Sequence, residues 1–207
     1  MMEFNRKAHW ENIYENKRLE SCSWYQAKPE SSLVFIRNLH LDLDAKIIDV
    51  GAGDSYLVDN LLSLGYKNIY VLDISSTAIE RAKKRLGEKA KQVNWIVSDI
   101  LEFEADLSFD VWHDRAAFHF LTKEEDIEVY KKVLRKSLSA KGSAIIATFS
   151  EEGPSKCSGI EIKQYSVTSL ANSLADSFTL TKSDTVDHPT PFGTKQNFIF
   201  CAFKLKD

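Results

Sequence analysis

Residues 46–55 read Lys-Ile-Ile-Asp-Val-Gly-Ala-Gly-Asp-Ser. A short apolar run that stops at turn residues is the mark of a buried strand, and two closely spaced glycines at its exit let the backbone turn sharply and approach a ligand. Downstream, Ile69-Tyr70-Val71-Leu72-Asp73, Trp95-Ile96-Val97, Phe109-Asp110-Val111-Trp112-His113 and Ser143-Ala144-Ile145-Ile146-Ala147-Thr148-Phe149 repeat the pattern. Stretches of helical period separate them. Leu57, Leu61, Leu62 and Leu64 share one face, closed by Gly65 at a C-cap; Thr77 to Glu80 has capping-box spacing and opens a helix that buries Ile79, Ala82 and Leu86. Thr122 to Glu125 opens the strongest helix, with Ile127, Tyr130, Leu134 and Leu138 at helical spacing, and Lys141-Gly142 ends it. Strand and helix in alternation predict a three-layer, doubly wound α/β fold around a parallel sheet.

After the fifth strand, residues 150–165 carry Gly153, Pro154 and Gly159 and read as a long loop, a candidate lid. A helix around Ser169 to Asp176 follows. Phe178 to Thr181 and Asn197 to Lys204, joined through the His188 to Gly193 turn, lie too close for a helical crossover and so pair antiparallel at one edge.

Composition narrows the function classes. With 207 residues, 43% hydrophobic and 28% charged, the chain can bury a full core, and one domain over 1–207 is expected: a helical cap over 1–40 and a core over 41–207. A net charge of -3 supplies no field to grip a polyanion, so stable nucleic-acid binding is not expected. No window approaches a membrane-spanning apolar run and the N-terminus is polar, which points to a cytoplasmic protein without membrane attachment. Cys22, Cys157 and Cys201 form no CxxC pair, which excludes a disulfide scaffold and a structural zinc site; no metal is expected. Cys22 and Cys157 in loops leave a soft metalloid or thiol acceptor as a minor alternative.

Ligands of doubly wound sheets bind outside the carboxyl ends of the strands, so the residues following each strand form one constellation. Asp73 stands 22 residues beyond Gly51, where a carboxylate suits a ribose diol. A dinucleotide loop asks for a third glycine where this chain has Tyr56, and Asp49 just before the loop would repel a pyrophosphate. Asp49 suits an ammonium group instead, while Asp99 and Ile100 after the third strand suit an adenine amino group and ring nitrogen. Ribose, adenine and ammonium contacts without a phosphate cradle describe S-adenosylmethionine. His113 and Asp114, at the end of the fourth strand, are candidate proton acceptors; His119 reads as a packed core residue, His188 as an exposed turn residue, and Lys83-Lys84-Arg85 and Lys131-Lys132 as solvated helix faces.

Taken together, IIDVGAGDS, YVLDIS, VSDIL, FDVWHDRAAFHFL and KGSAIIATF resemble the successive motifs of class I S-adenosylmethionine-dependent methyltransferases, over residues 8 to 205. The resemblance implies a seven-stranded Rossmann-like sheet of order 3-2-1-4-5-7-6 with strand seven antiparallel. It also places Asp49, Gly51 and Gly53 along the methionine moiety, Asp73 and Ile74 at the ribose and adenine edge, and Asp99 with Ile100 at the adenine. The segment from His9 to Tyr14, followed by Ser23-Trp24-Tyr25, resembles the entry of a subgroup that includes lysine methyltransferases of elongation factors and citrate synthase. That subgroup implies that Trp10, Tyr14 and Trp24 enclose the cofactor with Arg115 near it. Its members commonly read Asp/Glu-Lys-Gly after strand four, where this chain has Asp114-Arg115-Ala116.

The expected activity is direct methyl displacement onto an oxygen, nitrogen or sulfur of a small molecule, yielding S-adenosylhomocysteine, with a protein lysine as the alternative acceptor. A nicotinamide-dependent oxidoreductase and a noncatalytic nucleoside-binding module are the rival classes; Tyr56 and Asp49 speak against the first.

Overall fold

The computed structural model describes residues 4–206. A seven-stranded sheet is built from β1 (Lys46–Val50), β2 (Asn68–Asp73), β3 (Val93–Val97), β4 (Phe109–Arg115), β5 (Leu138–Phe149), β8 (Phe178–Pro189) and β9 (Lys195–Leu205). Its order is β3-β2-β1-β4-β5-β9-β8. β6 (Lys156–Cys157) and β7 (Ile160–Glu161) form a separate small hairpin. Counted within the large sheet alone, this is the expected order 3-2-1-4-5-7-6. The five strands β1 to β5 run parallel and β9 runs antiparallel to both β5 and β8.

Helices cover both faces: α1 (Arg6–Asn16), α2 (Glu30–Arg37), α3 (Leu57–Ser63), α4 (Ser76–Leu86), α5 (Glu124–Ser137) and α6 (Val167–Leu174). Successive strand residues point to opposite faces. Ile48, Val50 and Trp112 pack with Ile127, Tyr130 and Leu134 of α5 and Leu170 of α6. Ile47, Ile69, Val71 and Val111 pack on the other side with Leu33 and Ile36 of α2 and Leu57 and Leu61 of α3. That alternation also assigns the strand ends. Asp49, His113 and Arg115 share parity with Ile47 and Val111 and face α2, whereas Asp114 shares parity with Trp112 and faces α5.

Several boundaries differ from expectation. α5 stops at Ser137 and β5 begins at Leu138, because Leu138 already pairs with Phe109 while Val111 resumes the ladder at Ser143. α4 is capped by Ser75, whose side chain accepts from the Ala78 amide, so the chain enters the helix two residues before Thr77. On α3 the buried face is Leu57, Val58 and Leu61, with Leu64 turned out. Residues 150–165 hold the β6–β7 hairpin and are tied down by the Lys163 amide on His119 O at 2.8 Å and the Tyr165 amide on Phe149 O at 3.1 Å. Among the described residues, no helix is long and apolar enough to cross a membrane, and no group of three or more His, Cys, Asp or Glu side chains could hold a metal ion.

Candidate active site

One cavity opens at the carboxyl ends of β1 to β4. It is lined by Trp10, Tyr14, Trp24, Asp49, Gly51, Asp73, Ile74, Asp99, Ile100, His113 and Arg115 from the residues singled out above. Gly53 and Asp114 are not on the lining.

Gly51 and Gly53 both adopt positive φ, +61° and +57°, which a side chain resists. A Cβ on Gly51 would collide with the Ala117 Cβ, and one on Gly53 with the Tyr14 hydroxyl. The glycines therefore admit two close approaches, one from the turn after β4 and one from α1. Asp73 Oδ2 accepts the Gly53 amide at 2.7 Å and Oδ1 the Ser75 amide at 2.8 Å, which fixes the carboxylate between the two turns. Burial raises its pKa to about 6, against the lowering effect of those amides. Asp99 Oδ1 accepts the Leu101 amide at 3.0 Å, and Arg6 Nη2 reaches Oδ2 at 3.2 Å.

Asp49 Oδ1 lies 2.7 Å from His113 Nδ1, and His113 Nε2 lies 2.9 Å from Ser32 Oγ, forming a buried chain from β1 through β4 to α2. A carboxylate accepts only, so Nδ1 carries the proton in this arrangement. Both ring nitrogens are thus engaged, and His113 orients Asp49 within the cavity wall.

Asp114 is corrected from its expected role as a proton acceptor at the site. Its parity turns it to the α5 side, where Oδ1 accepts the Ala117 and Phe118 amides at 2.9 and 3.1 Å and Oδ2 accepts the Tyr130 hydroxyl at 2.8 Å. Tyr130 in turn accepts from Trp112 Nε1 at 2.9 Å. Asp114 holds the turn in which Ala116 takes a φ of 68° and Ala117 is set against Gly51.

An aromatic wall closes the cavity. Trp10 packs edge-on against Trp24 and Phe120, with ring centroids 6.2 and 5.0 Å apart, and Tyr14 sits 6.1 Å from Trp10. α1 carries two of these rings and is latched to the sheet by charge. Glu11 accepts from the Ser75 hydroxyl at 2.7 Å and from the Ser76 and Thr77 amides at 2.8 and 3.0 Å, so one helix caps the N-terminus of another. Arg81 donates to Tyr14 O at 2.6 Å and Lys17 O at 2.7 Å while pairing with the buried Asp54 at 2.8 Å.

The basic run on α4 is not a uniformly solvated face. Arg85 donates to Asp54 O at 2.6 Å and Ser55 O at 2.8 Å, pairs with Asp59 at 2.8 Å, and stacks 4.3 Å over the Tyr56 ring, clamping the loop after β1. Lys131 is likewise buried and paired with Glu128 and Asp176, and His188 is buried with Nε2 donating to Ser23 O at 2.7 Å. His119 is fully buried, its pKa pulled down to about 3 by burial. The Cys157 thiol lines the cavity, but burial raises its pKa to about 11 and keeps it protonated. Sequence reasoning passed over Ser32, Glu11, Arg6 and Arg81. Apart from the Arg81–Asp54 ion pair, their partners named above lie 64 or more residues away, with no local spacing to reveal them.

Comparison with known proteins agrees with this geometry. Residues 47–142 match the model of the methyltransferase domain family. The mouse eEF1A lysine and N-terminal methyltransferase is 27% identical over 127 residues, which cover 60% of this chain but 18% of that protein, so the chain spans about a fifth of that relative's length. Among solved structures, one from a study of the conversion of a disulfide bond into a thioacetal group during echinomycin biosynthesis superposes with a TM-score of 0.79 at 17% identity, covering 97% of this chain and 93% of its own. The Burkholderia thailandensis 1,6-didemethyltoxoflavin-N1-methyltransferase, solved with its acceptor and S-adenosylhomocysteine, gives 0.71 at 18% identity over 95% and 82% of the two chains. With the family match over β1 to the start of β5, the sheet order and the glycine loop facing Asp73, residues 47–142 carry a methyltransferase domain, and the chain is similar to class I S-adenosylmethionine-dependent methyltransferases, the eEF1A lysine methyltransferases among them.

Proposed function

We propose that this chain transfers a methyl group from S-adenosylmethionine to an oxygen, nitrogen or sulfur of a small-molecule acceptor, releasing S-adenosylhomocysteine. The observation that carries the reading is the meeting of Asp49, Asp73 and Asp99, from the ends of three adjacent strands, in one cavity beside a glycine loop. The donor set fits the cofactor. Each Asp73 oxygen holds one backbone N–H and keeps a lone pair for a ribose hydroxyl. Asp49 has one oxygen on His113 and the other for an ammonium group. Ile74 and Ile100 offer apolar contact for adenine beside Asp99. Tyr56, where a pyrophosphate loop would have glycine, is packed between Tyr25 and Arg85, which speaks against a nicotinamide dinucleotide.

The cofactor supplies a methyl group already activated on a cationic sulfur. The chain contributes position and exclusion of water. Trp10, Trp24 and Phe120 form the dry wall, and the aromatic roof favours an acceptor small enough to pass beneath it. Because His113 has both nitrogens taken and Asp114 faces α5, the geometry favours an acceptor atom that presents its lone pair without a protein base. Similarity to the mouse eEF1A enzyme supports a protein lysine as the second reading.

Calorimetry with S-adenosylmethionine and S-adenosylhomocysteine tests the proposal. Micromolar binding, about −8 kcal/mol, is expected for the wild type and a clear loss for Asp73→Ala; no binding of either ligand to the wild type defeats the reading. Transfer of radiolabelled methyl into the small-molecule fraction of a lysate, against its protein fraction, separates the two acceptor classes.

A further inference from the structure

We propose that the acceptor carries an oxyanion, a carboxylate or phosphate, that pairs with Arg115; this deepens the methyltransferase reading and rests on it. Arg115 lines the cavity and is half-buried, yet it forms no ion pair among the described residues. Nη1 makes one long hydrogen bond, 3.3 Å to Trp24 O, the guanidinium stacks on Phe198 at 4.7 Å, and Nη2 is buried with no partner. Burial lowers the pKa to about 10, so the group remains a cation at neutral pH. A half-buried guanidinium with five donors and one weak acceptor is an incomplete arrangement, and a planar two-oxygen anion completes it. The carboxylate whose field reaches it, Asp49, is already bonded to His113.

His119 lies near enough to Arg115 to feel its charge, yet it does not line the cavity. His119 Nδ1 accepts the Phe149 amide at 3.3 Å, so Nε2 carries the proton, and Nε2 is also buried without a partner. Neutral at physiological pH, His119 sets no second charge beside Arg115.

Position assigns the anion to the acceptor. Asp99, Asp73 and Asp49 mark the cofactor's course along the ends of β3, β2 and β1. Arg115 continues past them on β4 and leans onto Phe198 of β9, two strands further on, under the carbonyl of Trp24. Its head lies beyond the cofactor's carboxylates, on the side left for the acceptor.

The test uses benzoate as the anionic probe and benzamide as its neutral counterpart, titrated by ligand-observed NMR into the intact protein with and without saturating S-adenosylhomocysteine. Wild type is expected to bind benzoate saturably and benzamide at least about tenfold more weakly, a difference of about 1.4 kcal/mol. Arg115→Gln is expected to lose benzoate binding by a similar factor, and Arg115→Lys, which keeps the charge, to retain part of it. S-adenosylhomocysteine affinity should stay within about threefold of wild type in both variants.

Absence of saturable benzoate binding, or equal binding by Arg115→Gln, overturns the proposal. So does a tenfold or greater loss of S-adenosylhomocysteine affinity in Arg115→Gln with 5′-methylthioadenosine unaffected, since that assigns Arg115 to the cofactor's own carboxylate. Failure of the wild type to bind S-adenosylhomocysteine would instead defeat the methyltransferase reading, while the cofactor-free titration still reports on Arg115. Thermal melts of both variants show that they are folded.

Discussion

Asp73 is buried among groups that push its proton on. Burial, with Asp49 and Asp54 nearby, outweighs the amides of Ser75 and Gly53 and raises its pKa from 3.8 to about 6. The sign follows directly: because the folded, cofactor-free protein holds this proton more tightly than the unfolded chain, the stability contribution of Asp73 is greatest below pH 3.8 and declines as pH rises to about 6. Cofactor binding runs the other way, since two ribose hydroxyls need the carboxylate. S-adenosylhomocysteine affinity is therefore expected to be flat above about pH 7 and to fall roughly tenfold per unit below about pH 6. Calorimetry between those values checks it, and a flat profile contradicts it.

Neighbouring residues on β4 separate cleanly. His113→Ala removes the partner of the buried Asp49, and a cost of about 1–3 kcal/mol with a loss of cofactor affinity of at least roughly tenfold is expected. Asp114→Asn keeps an oxygen for the Ala117 and Phe118 amides but turns an NH2 toward Tyr130, whose hydroxyl proton loses its acceptor, a local cost away from the cavity. It is expected to leave S-adenosylhomocysteine affinity within about threefold of wild type. Equal losses from the two substitutions would show that Asp114 also acts at the site. The strand and the polar pair were legible in the sequence. The division between them was legible too, in the period of two that sets Val111 and His113 on one face and Trp112 and Asp114 on the other.

At the scale of elements, α1 is the wall of the cavity, and it is held by interactions rather than by an amphipathic face. Only Ile13 and Tyr14 of this helix are buried. Burial opposes ionisation of Glu11, but bonds from Ser75, Ser76 and Thr77 outweigh it and bring the pKa down from 4.5 to about 2. For a depressed carboxyl, the stabilisation is complete above pH 4.5 and is lost as pH falls toward 2. Glu11→Gln is expected to destabilise the protein by about 1 kcal/mol, in the range of a lost helix cap. It should also weaken S-adenosylhomocysteine binding, because Trp10 and Tyr14 ride on the same helix. Denaturant unfolding and calorimetry on one variant measure both effects, and a stability loss with unchanged affinity would detach the wall from the site. None of this latch was readable locally: Glu11 meets residues 64 to 66 positions away. Charge runs are usually solvated, and no sequence rule marks that Arg85 of the α4 run folds back over Tyr56.

For the whole molecule, a ligand that binds only the folded state raises its stability by mass action. At about 100 times the dissociation constant, S-adenosylhomocysteine is expected to add roughly 2.7 kcal/mol, which for a domain of this size corresponds to about 5–10 °C in melting temperature. Asp73→Ala should show a much smaller shift, so a thermal scan of the pair tests the site without knowledge of the acceptor.

By itself the sequence determined the alternation of strand and helix, the glycine loop and the carboxylates that follow three strands. Those features depend on period and on backbone conformation, which are local properties of a chain. Tertiary structure alone decided that His113 is spent on Asp49 and Ser32, that Asp114 braces a turn, that α4 and Glu11 hold the aromatic wall, and that Arg115 has no counter-charge among the described residues. Each of those outcomes turns on which distant group arrives within hydrogen-bonding distance, and in a buried site that arrival decides whether a titratable residue is structural or free to meet a ligand.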